Sequence, residues 1–483
     1  MEFIRTTLRN YNISGWNGRS PEAVRAAHPR RKGGKRCWIL SERQLAWFEN
    51  NFFAFIHFGM NTFTDREWGT GTEAESLFNP SKLDCDQWVD AVKSAGMKGM
   101  ILVAKHHDGF CLWDTKLTDH SVMNSPFGRD IVREASEACR RGGIRFGFYL
   151  SPWDRNSRYY GTPAYNDYFC GQLEELLTNY GEIAEVWFDN ACGEGPDGKK
   201  QEYDFPRYIS LIRRLQPEAV IFNDYGPDAR WCGNEAGIAR ESEWAVVPSE
   251  LCFYSDVQSG PGPLSEEGSL DGIYSTGRYL GSLDSILYSK GLVFCPSEFD
   301  TSIRPGWFWH RNEEPKSVDE LMRVYMTTVG NNAGLNLNIP PTDEGLIDER
   351  DAARLKEFGD AIKGAFGTPV PSGLERAGGT DELPVYRISF DKVRKDIRHV
   401  ILREDLTKGQ RISEFRIGSE KGLGMHFPWA QGSTVGNCRI LTLADHFTGQ
   451  NPLIGEHIGG VDHLLLEVSA SRGKVFLKSA EVY

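Results

Sequence analysis

Glu185-Val-Trp-Phe-Asp-Asn-Ala191 is the stretch on which the reading of this chain turns. An apolar run ends abruptly in a carboxylate, and a Gly-rich segment, Cys192-Gly-Glu-Gly-Pro-Asp-Gly198, follows. A buried parallel strand that delivers Asp189 to the carboxyl edge of a sheet has this pattern, and active sites of α/β folds sit at that edge. An Asp that caps the next turn or helix gives the same local pattern, so the flanking segments decide.

Outward from that stretch, strand and helix patterns alternate from residue 50 to residue 340. Phe52–Phe58 is an apolar run and reads as the first strand. Asp84 can cap a helix that carries Trp88, Val89, Val92 and Ala95 on one face and stops at Gly96. Gly99–Ala104 and Ile144–Leu150 are the next strands, separated by a helix that Asp130 opens and Gly142-Gly143 closes. A helix over Tyr165–Tyr180 leads to the strand Ile183–Phe188, and a helix over Phe205–Leu215 to the strand Ala219–Asn223. The sixth strand has the faintest pattern and is expected near Glu243–Val247. Gly291–Cys295 and Gly334–Ile339 complete the set, with a helix over Val318–Val329 between them. Eight strands interleaved with helices over roughly 300 residues predict a (β/α)8-type barrel. The alternative is an open doubly wound sheet, but no Gly-rich phosphate fingerprint follows the first strand.

A closing helix is expected over Asp348–Phe366, after which the composition changes. Gly367–Gly373 and the Gly378–Pro384 segment read as linker and turn. Short alternating runs follow at Val385–Phe390, Arg398–Arg403, Ile412–Ile417, Arg439–Leu443, His463–Val468 and Lys474–Lys478. They predict a C-terminal all-β sandwich. The expected domains are therefore a catalytic barrel with an N-terminal extension over 1–366 and a β-sandwich over 367–483.

Composition narrows the function. The 483 residues exceed one small core, and 40% hydrophobic with 25% charged residues is ordinary for a globular protein. A net charge of −12 argues against nucleic acid as a partner, and the basic Arg25–Arg36 segment reads as solvated surface. No run of about 18 apolar residues suggests a membrane partner. The first ten residues lack the apolar core of a secretory signal, so a cytoplasmic protein is expected. The ten Cys show no zinc-ligand spacing and read as buried free thiols. The 13 Trp suit stacking on sugar rings as well as core packing.

Polar residues cluster where the barrel strands should end. They are His57, Lys105-His-His-Asp-Gly109, Tyr149, Ser151 and Trp153, Asp189, Asn223 and Asp224, and Asn336 and Asn338. His57, His106, His107 and Asp189 could hold a metal in an amidohydrolase-like site. Against that, the first strand lacks a His-x-His pair, and adjacent His106 and His107 point to opposite faces unless the strand has already ended. Imidazoles, Trp and carboxylates without a phosphate loop suit a neutral polyhydroxylated ligand better, with no metal and no cofactor.

On these residues the chain resembles the α-L-fucosidases of glycoside hydrolase family 29. The matching segments are His57-Phe-Gly59, Glu67-Trp68, Lys105-His-His-Asp-Gly-Phe110, Trp187-Phe-Asp189 and Asn336-Leu-Asn-Ile339. The resemblance covers residues 45–345, and the family's usual C-terminal β-sandwich fits the remainder. Ser302–His310 and Gly233-Asn-Glu235 look like the branch that acts on α-1,3/1,4-linked fucose in Lewis-type glycans. The resemblance implies a retaining, exo-acting hydrolase working by double displacement on a fucosylated oligosaccharide or glycoconjugate. Asp189 matches the nucleophile, and Glu235 is the best match for the acid/base, with Glu241, Glu243 and Glu298 as competitors. Retention implies two carboxyl groups about 5–5.5 Å apart. His57, Glu67, Trp68, His106 and His107 match fucose-contacting positions, and Tyr149 is a further contact. Phe58 or Trp187 would wall off the 6-methyl group, and Trp307 and His310 would shape the aglycone side. A non-catalytic fucose-binding protein on the same scaffold and a metal-dependent hydrolase are the competing readings. The sequence carries no signal for an oligomeric state.

Overall fold

Eight parallel strands close into a barrel in chain order. They are β1 (Phe52–Ile56), β2 (Gly99–Lys105), β3 (Arg145–Leu150), β4 (Glu185–Trp187), β5 (Val220–Asn223), β6 (Ala229–Trp231), β7 (Ser297–Ser302) and β8 (Gly334–Asn338). The barrel shuts where β8 pairs with β1, Phe53 opposite Asn336. The computed structural model describes residues 40–224, 226–248, 280–287, 292–420, 428–443 and 460–483. The basic Arg25–Arg36 segment lies outside the described residues.

Period-two alternation explains which side chains line the lumen. On β1, Phe52, Ala54 and Ile56 join the outer apolar core shared with the helices, whereas Phe55 turns inward, 5.2 Å from the Trp187 ring. On β4, Val186 and the following Phe188 face outward, Phe188 lying 5.9 Å from Phe169 of the helix Ala164–Asn179. Glu185, Trp187 and then Asp189 therefore stack up the lumen side. At the lower end the Trp47 indole N–H donates to Glu185 Oε2 at 2.6 Å and closes the barrel floor.

The helices start and stop where side chains satisfy their ends. Asp84 accepts from the Asp86 and Gln87 N–H groups, and Asp130 from that of Arg133. Gly143 ends the second of these helices with φ at 69°, a left-handed conformation that costs a glycine little. No helix among the described residues is long and apolar enough to cross a membrane.

Two expected barrel strands are displaced. Val246–Pro248 and Leu292–Phe294 pair antiparallel as a separate ribbon, so neither the Glu243–Val247 nor the Gly291–Cys295 run, whose Gly291 lies outside the described residues, supplies a barrel strand. The sixth and seventh strands are Ala229–Trp231 and Ser297–Ser302 instead. The reason lies in the lumen. Ser297-Glu-Phe-Asp-Thr-Ser302 sends Phe299 to the outer core and Glu298 to the Trp187 indole, so the strand lacks the apolar run of a buried parallel strand.

Past the helix Glu349–Phe366, antiparallel sheets begin. One has the order Ser372–Gly379, Pro384–Arg394, Val461–Ser471, Ile412–Gly418, Ala430–Gly432. The other has the order Arg439–Thr442, His399–Glu404, Leu477–Val482. Ile388, Leu464 and Leu466 of the first share one core with Val400, Leu402 and Val482 of the second, which makes a two-layer sandwich. Ser372–Gly379, of which only the ends fall in the segments expected as linker and turn, is a strand whose residues are all exposed, so it has no alternation to read. The Lys474–Lys478 run likewise gives way to a strand beginning at Leu477. The Asn437 backbone N–H donates to Asn332 Oδ1 at 2.7 Å, and the Asn437 amide donates to the Phe48 carbonyl at 2.6 Å, tying the sandwich to the barrel.

Candidate active site

Asp189 follows the last residue of β4 by two and stands at the barrel mouth with its side chain 29% exposed. The Tyr149 hydroxyl donates to Oδ2 at 3.0 Å, and the Ala191 N–H donates to Oδ1 at 2.7 Å. These two bonds, from opposite sides, fix the plane of the carboxylate.

A β-bulge brings the adjacent histidines to one side. The pairing of β2 with β3 slips between Val103 and Lys105. Lys105 is thereby turned outward into the helix layer, where its ammonium donates to Asp154 Oδ2 and Gln172 Oε1, each at 2.9 Å. β2 ends at Lys105, so His106 and His107 lie beyond the strand, and their ring centroids are 4.1 Å apart. This removes the opposite-face objection raised by their adjacency.

Each ring nitrogen then has a defined role. The Ser151 hydroxyl spends its proton on the Trp153 carbonyl at 2.7 Å, so it accepts from His107 Nδ1 at 2.8 Å. His107 Nε2 is left as an acceptor, 3.8 Å from Asp189 Oδ2. The Asn61 amide N–H₂ donates to the Glu67 carbonyl at 3.2 Å and lies 3.4 Å from His106 Nδ1, which makes His106 Nε2 the protonated nitrogen. Burial lowers the pKa of both rings, and for His107 the charge of Asp189 opposes it. His57, with Nδ1 2.8 Å from Asn338 Oδ1, is driven down to about 3 by burial, against the Asn338 bond. Three neutral imidazoles therefore present donor and acceptor nitrogens in a set pattern, which suits hydroxyl groups.

The remaining expected contacts form the rim and floor. Trp187 stacks on Phe222 at 4.2 Å and 10°, and its N–H donates to Glu298 Oε1 at 2.8 Å. Phe58 instead packs in the outer layer, 5.6 Å from Trp88, so of the two residues suggested for the methyl wall only Trp187 lines the lumen. Trp68 is 60% exposed and stands edge-on to Trp153 and His107. Glu67 directs its oxygens at the loop after β7: Oε2 accepts from the Trp307 N–H at 2.8 Å, and Oε1 faces His310 Nε2 at 2.7 Å. That loop sets the Trp307 ring 5.1 Å from His57.

The four candidate acids separate by position. Glu298 is 1% exposed beneath Trp187, and burial followed by the charge of Glu185 holds it protonated. Glu243 is fully buried between Arg230 and Arg240. Glu241 turns toward the sandwich, its carbonyl accepting from Arg439 at 2.7 Å. Glu235 is itself exposed on its loop, and its carboxyl is hydrogen-bonded to the Trp307 side chain. Burial first, and then the charges of Asp189 and Glu67, raise its pKa.

Asp300 was not among the residues expected from the sequence. It sits on β7, accepts from the Trp231 indole at 3.0 Å, and is raised far above the usual carboxyl range, first by burial and then by the neighbouring carboxyl groups of Glu235 and Glu298. The alternating acids of Ser297–Ser302 were the available signal. Asp224 is pushed up to about 7 by burial and by Asp189.

Comparison with known proteins adds a family to this geometry. A family model described as α-L-fucosidase matches residues 46–364. α-L-Fucosidase 1 of Arabidopsis thaliana is 39% identical over 440 residues, 84% of this chain and 82% of that one. A glycoside hydrolase family 29 member from an unknown rumen bacterium superposes with a TM-score of 0.75 at 35% identity, covering 92% of this chain and 76% of that one. A Ruminococcus gnavus family 29 fucosidase solved in complex with fucose gives 0.73 at 26% identity, covering 92% and 94% of the two chains.

Proposed function

The chain belongs to the α-L-fucosidase family, glycoside hydrolase family 29, and we propose that it removes terminal α-1,3- and α-1,4-linked L-fucose from branched, Lewis-type glycans by double displacement with retention. The observation that supports this reading is that burial, together with the charge of Asp189, raises the pKa of Glu235. One carboxylate is held at the barrel mouth by Tyr149 and Ala191, while the other group is driven toward its protonated form.

In the first step the Asp189 carboxylate attacks the anomeric carbon as Glu235 protonates the departing glycosidic oxygen. Esterifying Asp189 cancels one of the charges that raise Glu235, so Glu235 can then take a proton from water. The water attacks the ester, and fucose leaves with its original configuration. His57, His106 and His107 hold the sugar hydroxyls, Trp187 lies under the ring, and Trp68 stands at the rim. Tyr149 keeps Asp189 aimed.

The Ser302–His310 loop supports the branched-substrate part of the reading. Glu67 pins it over the cleft, and Trp307 both covers His57 and bonds Glu235, so an acceptor sugar must leave past this segment. The test is a panel of α-1,2-, α-1,3-, α-1,4- and α-1,6-fucosylated oligosaccharides, with released sugar followed by proton NMR. α-Fucose should be the first anomer formed, and branched α-1,3/1,4 substrates should be cleaved fastest. β-Fucose as first product overturns retention. A preference for α-1,2 linkages overturns the linkage assignment alone, and a chain that binds fucose without cleaving any of them is the non-catalytic protein.

A further inference from the structure

Asn338 lies on β8, and both ends of its amide meet backbone groups of fixed polarity. The His57 N–H can only donate, and it lies 3.3 Å from Oδ1. The Trp307 carbonyl can only accept, and it lies 2.8 Å from Nδ2, which also donates to Ser302 Oγ at 2.8 Å. The backbone on either side therefore dictates which end of the amide is oxygen. Oδ1 offers lone pairs only, so His57 Nδ1, 2.8 Å away, must carry the ring proton. Nε2, at the far side of the ring from Asn338, then keeps a bare lone pair.

Resting on the fucosidase reading above, we infer that Asn338 is a positioning residue. It locks His57 in the Nδ1–H tautomer, so that Nε2 accepts a hydrogen bond from a sugar hydroxyl, and it couples that polarity to the Trp307 segment. The coupling is a continuous chain. The Glu235 carboxyl bonds the Trp307 side chain, the Trp307 carbonyl bonds Asn338 Nδ2, and Asn338 Oδ1 bonds His57. One amide thus sets how the sugar is read on one side of the cleft and where the residue contacting Glu235 stands on the other. An aspartate of the same shape could do only half of this, because it accepts at both ends and cannot donate to the Trp307 carbonyl.

The whole enzyme carries the test. The wild type and the Asn338→Asp and Asn338→Leu variants are labelled with 15N-histidine, and the His57 ring is assigned by its loss in His57→Gln. In the wild type, Nε2 should give the unprotonated, pyridine-type signal with no titration from about pH 5 to pH 8, where an ordinary histidine titrates. In Asn338→Asp the added charge should draw a second proton onto His57 within that window. An imidazolium cannot accept a hydrogen bond from a hydroxyl, so kcat/KM should fall as pH drops through that window, a limb that His57 does not give the wild type. In Asn338→Leu the tautomers should mix and kcat/KM should fall on the order of 10- to 100-fold, the size expected for loss of a buried hydrogen bond. A wild-type His57 protonated on Nε2 overturns the inference, as does an Asn338→Asp variant with an unshifted ring and an unchanged pH profile. The ring is read without substrate, so a wild type that cleaves no fucoside would count against the fucosidase reading while the tautomer still decides the role of Asn338.

Discussion

Glu67 and His310 meet across the barrel mouth, Oε1 to Nε2, at 2.7 Å. The other ring nitrogen of His310 faces Asp65 Oδ1 at 2.6 Å, so only the imidazolium can donate to both carboxylates. This clamp joins the loop after β1 to the loop after β7.

The clamp should make stability depend on pH. Burial disfavours the charged ring, but the bonds to Asp65 and Glu67 outweigh it and raise the His310 pKa. A raised histidine contributes fully below its unfolded value near 6.5, and the contribution fades as pH climbs through the higher folded value. His310→Gln should therefore lower Tm on the order of 1 °C between about pH 5 and pH 6.5, and by less at alkaline pH. A Tm difference that stays constant across pH would count against the clamp.

Asp189→Gly should fold normally and lose on the order of 10,000-fold or more in kcat. Azide, a small anion able to enter the vacated position, should restore part of the turnover and yield the fucosyl azide of inverted configuration. Near-normal hydrolysis by the variant would remove Asp189 from the nucleophile's role.

Glu235→Ala should hurt poor leaving groups most. A Lewis-type trisaccharide should lose about 100- to 10,000-fold in rate, whereas an activated aryl fucoside departs without protonation and should lose far less. The first step needs the protonated acid, so wild-type activity falls as pH rises through the Glu235 pKa, and its upward shift extends the active range. The variant should lack that alkaline limb. Equal losses on both substrates would move the acid elsewhere.

Lys105 and Asp154 form a fully buried pair, and Asp154 also accepts the Asn156 and Ser157 N–H groups. Lys105→Met should destabilise the protein by about 3–5 kcal/mol, because it strands a buried carboxylate. The double variant Lys105→Met/Asp154→Leu should recover part of the loss in urea unfolding. Equal loss in both would show that packing, not the stranded charge, sets the cost.

Much of this was legible in the chain itself, and the failures share one cause. Strands whose apolar residues run unbroken, such as Phe52–Ile56 and Gly99–Lys105, announce themselves, as do helices with an Asp at the start and a Gly at the end. Ser297–Ser302 does not, because its lumen face carries acids, and Ala229–Trp231 does not, because it is three residues long with a buried Arg230 at its centre. The ribbon strands near 246 and 292 look more strand-like than the true staves because their apolar residues satisfy one another. At the site, residue types and strand ends gave the cast of side chains. Which ring nitrogen of His57 carries a proton, and that Glu67 grips the Trp307 backbone, depend on partners more than 200 positions away in sequence. No local pattern encodes those.

The slip in register at Val103 bears on any attempt to transplant this site. The histidine pair is in phase with the lumen only because the strand gains one residue just before it. Copying Lys105-His106-His107 into another barrel with an unbroken β2 would leave the lysine aimed at the axis, beneath the imidazoles, and an ammonium there would contend with the very groups meant to hold a sugar. The portable unit is therefore a backbone offset together with the polar socket of Asp154 and Gln172 that receives the displaced lysine. A graft of side chains alone carries the letters of the motif without its phase.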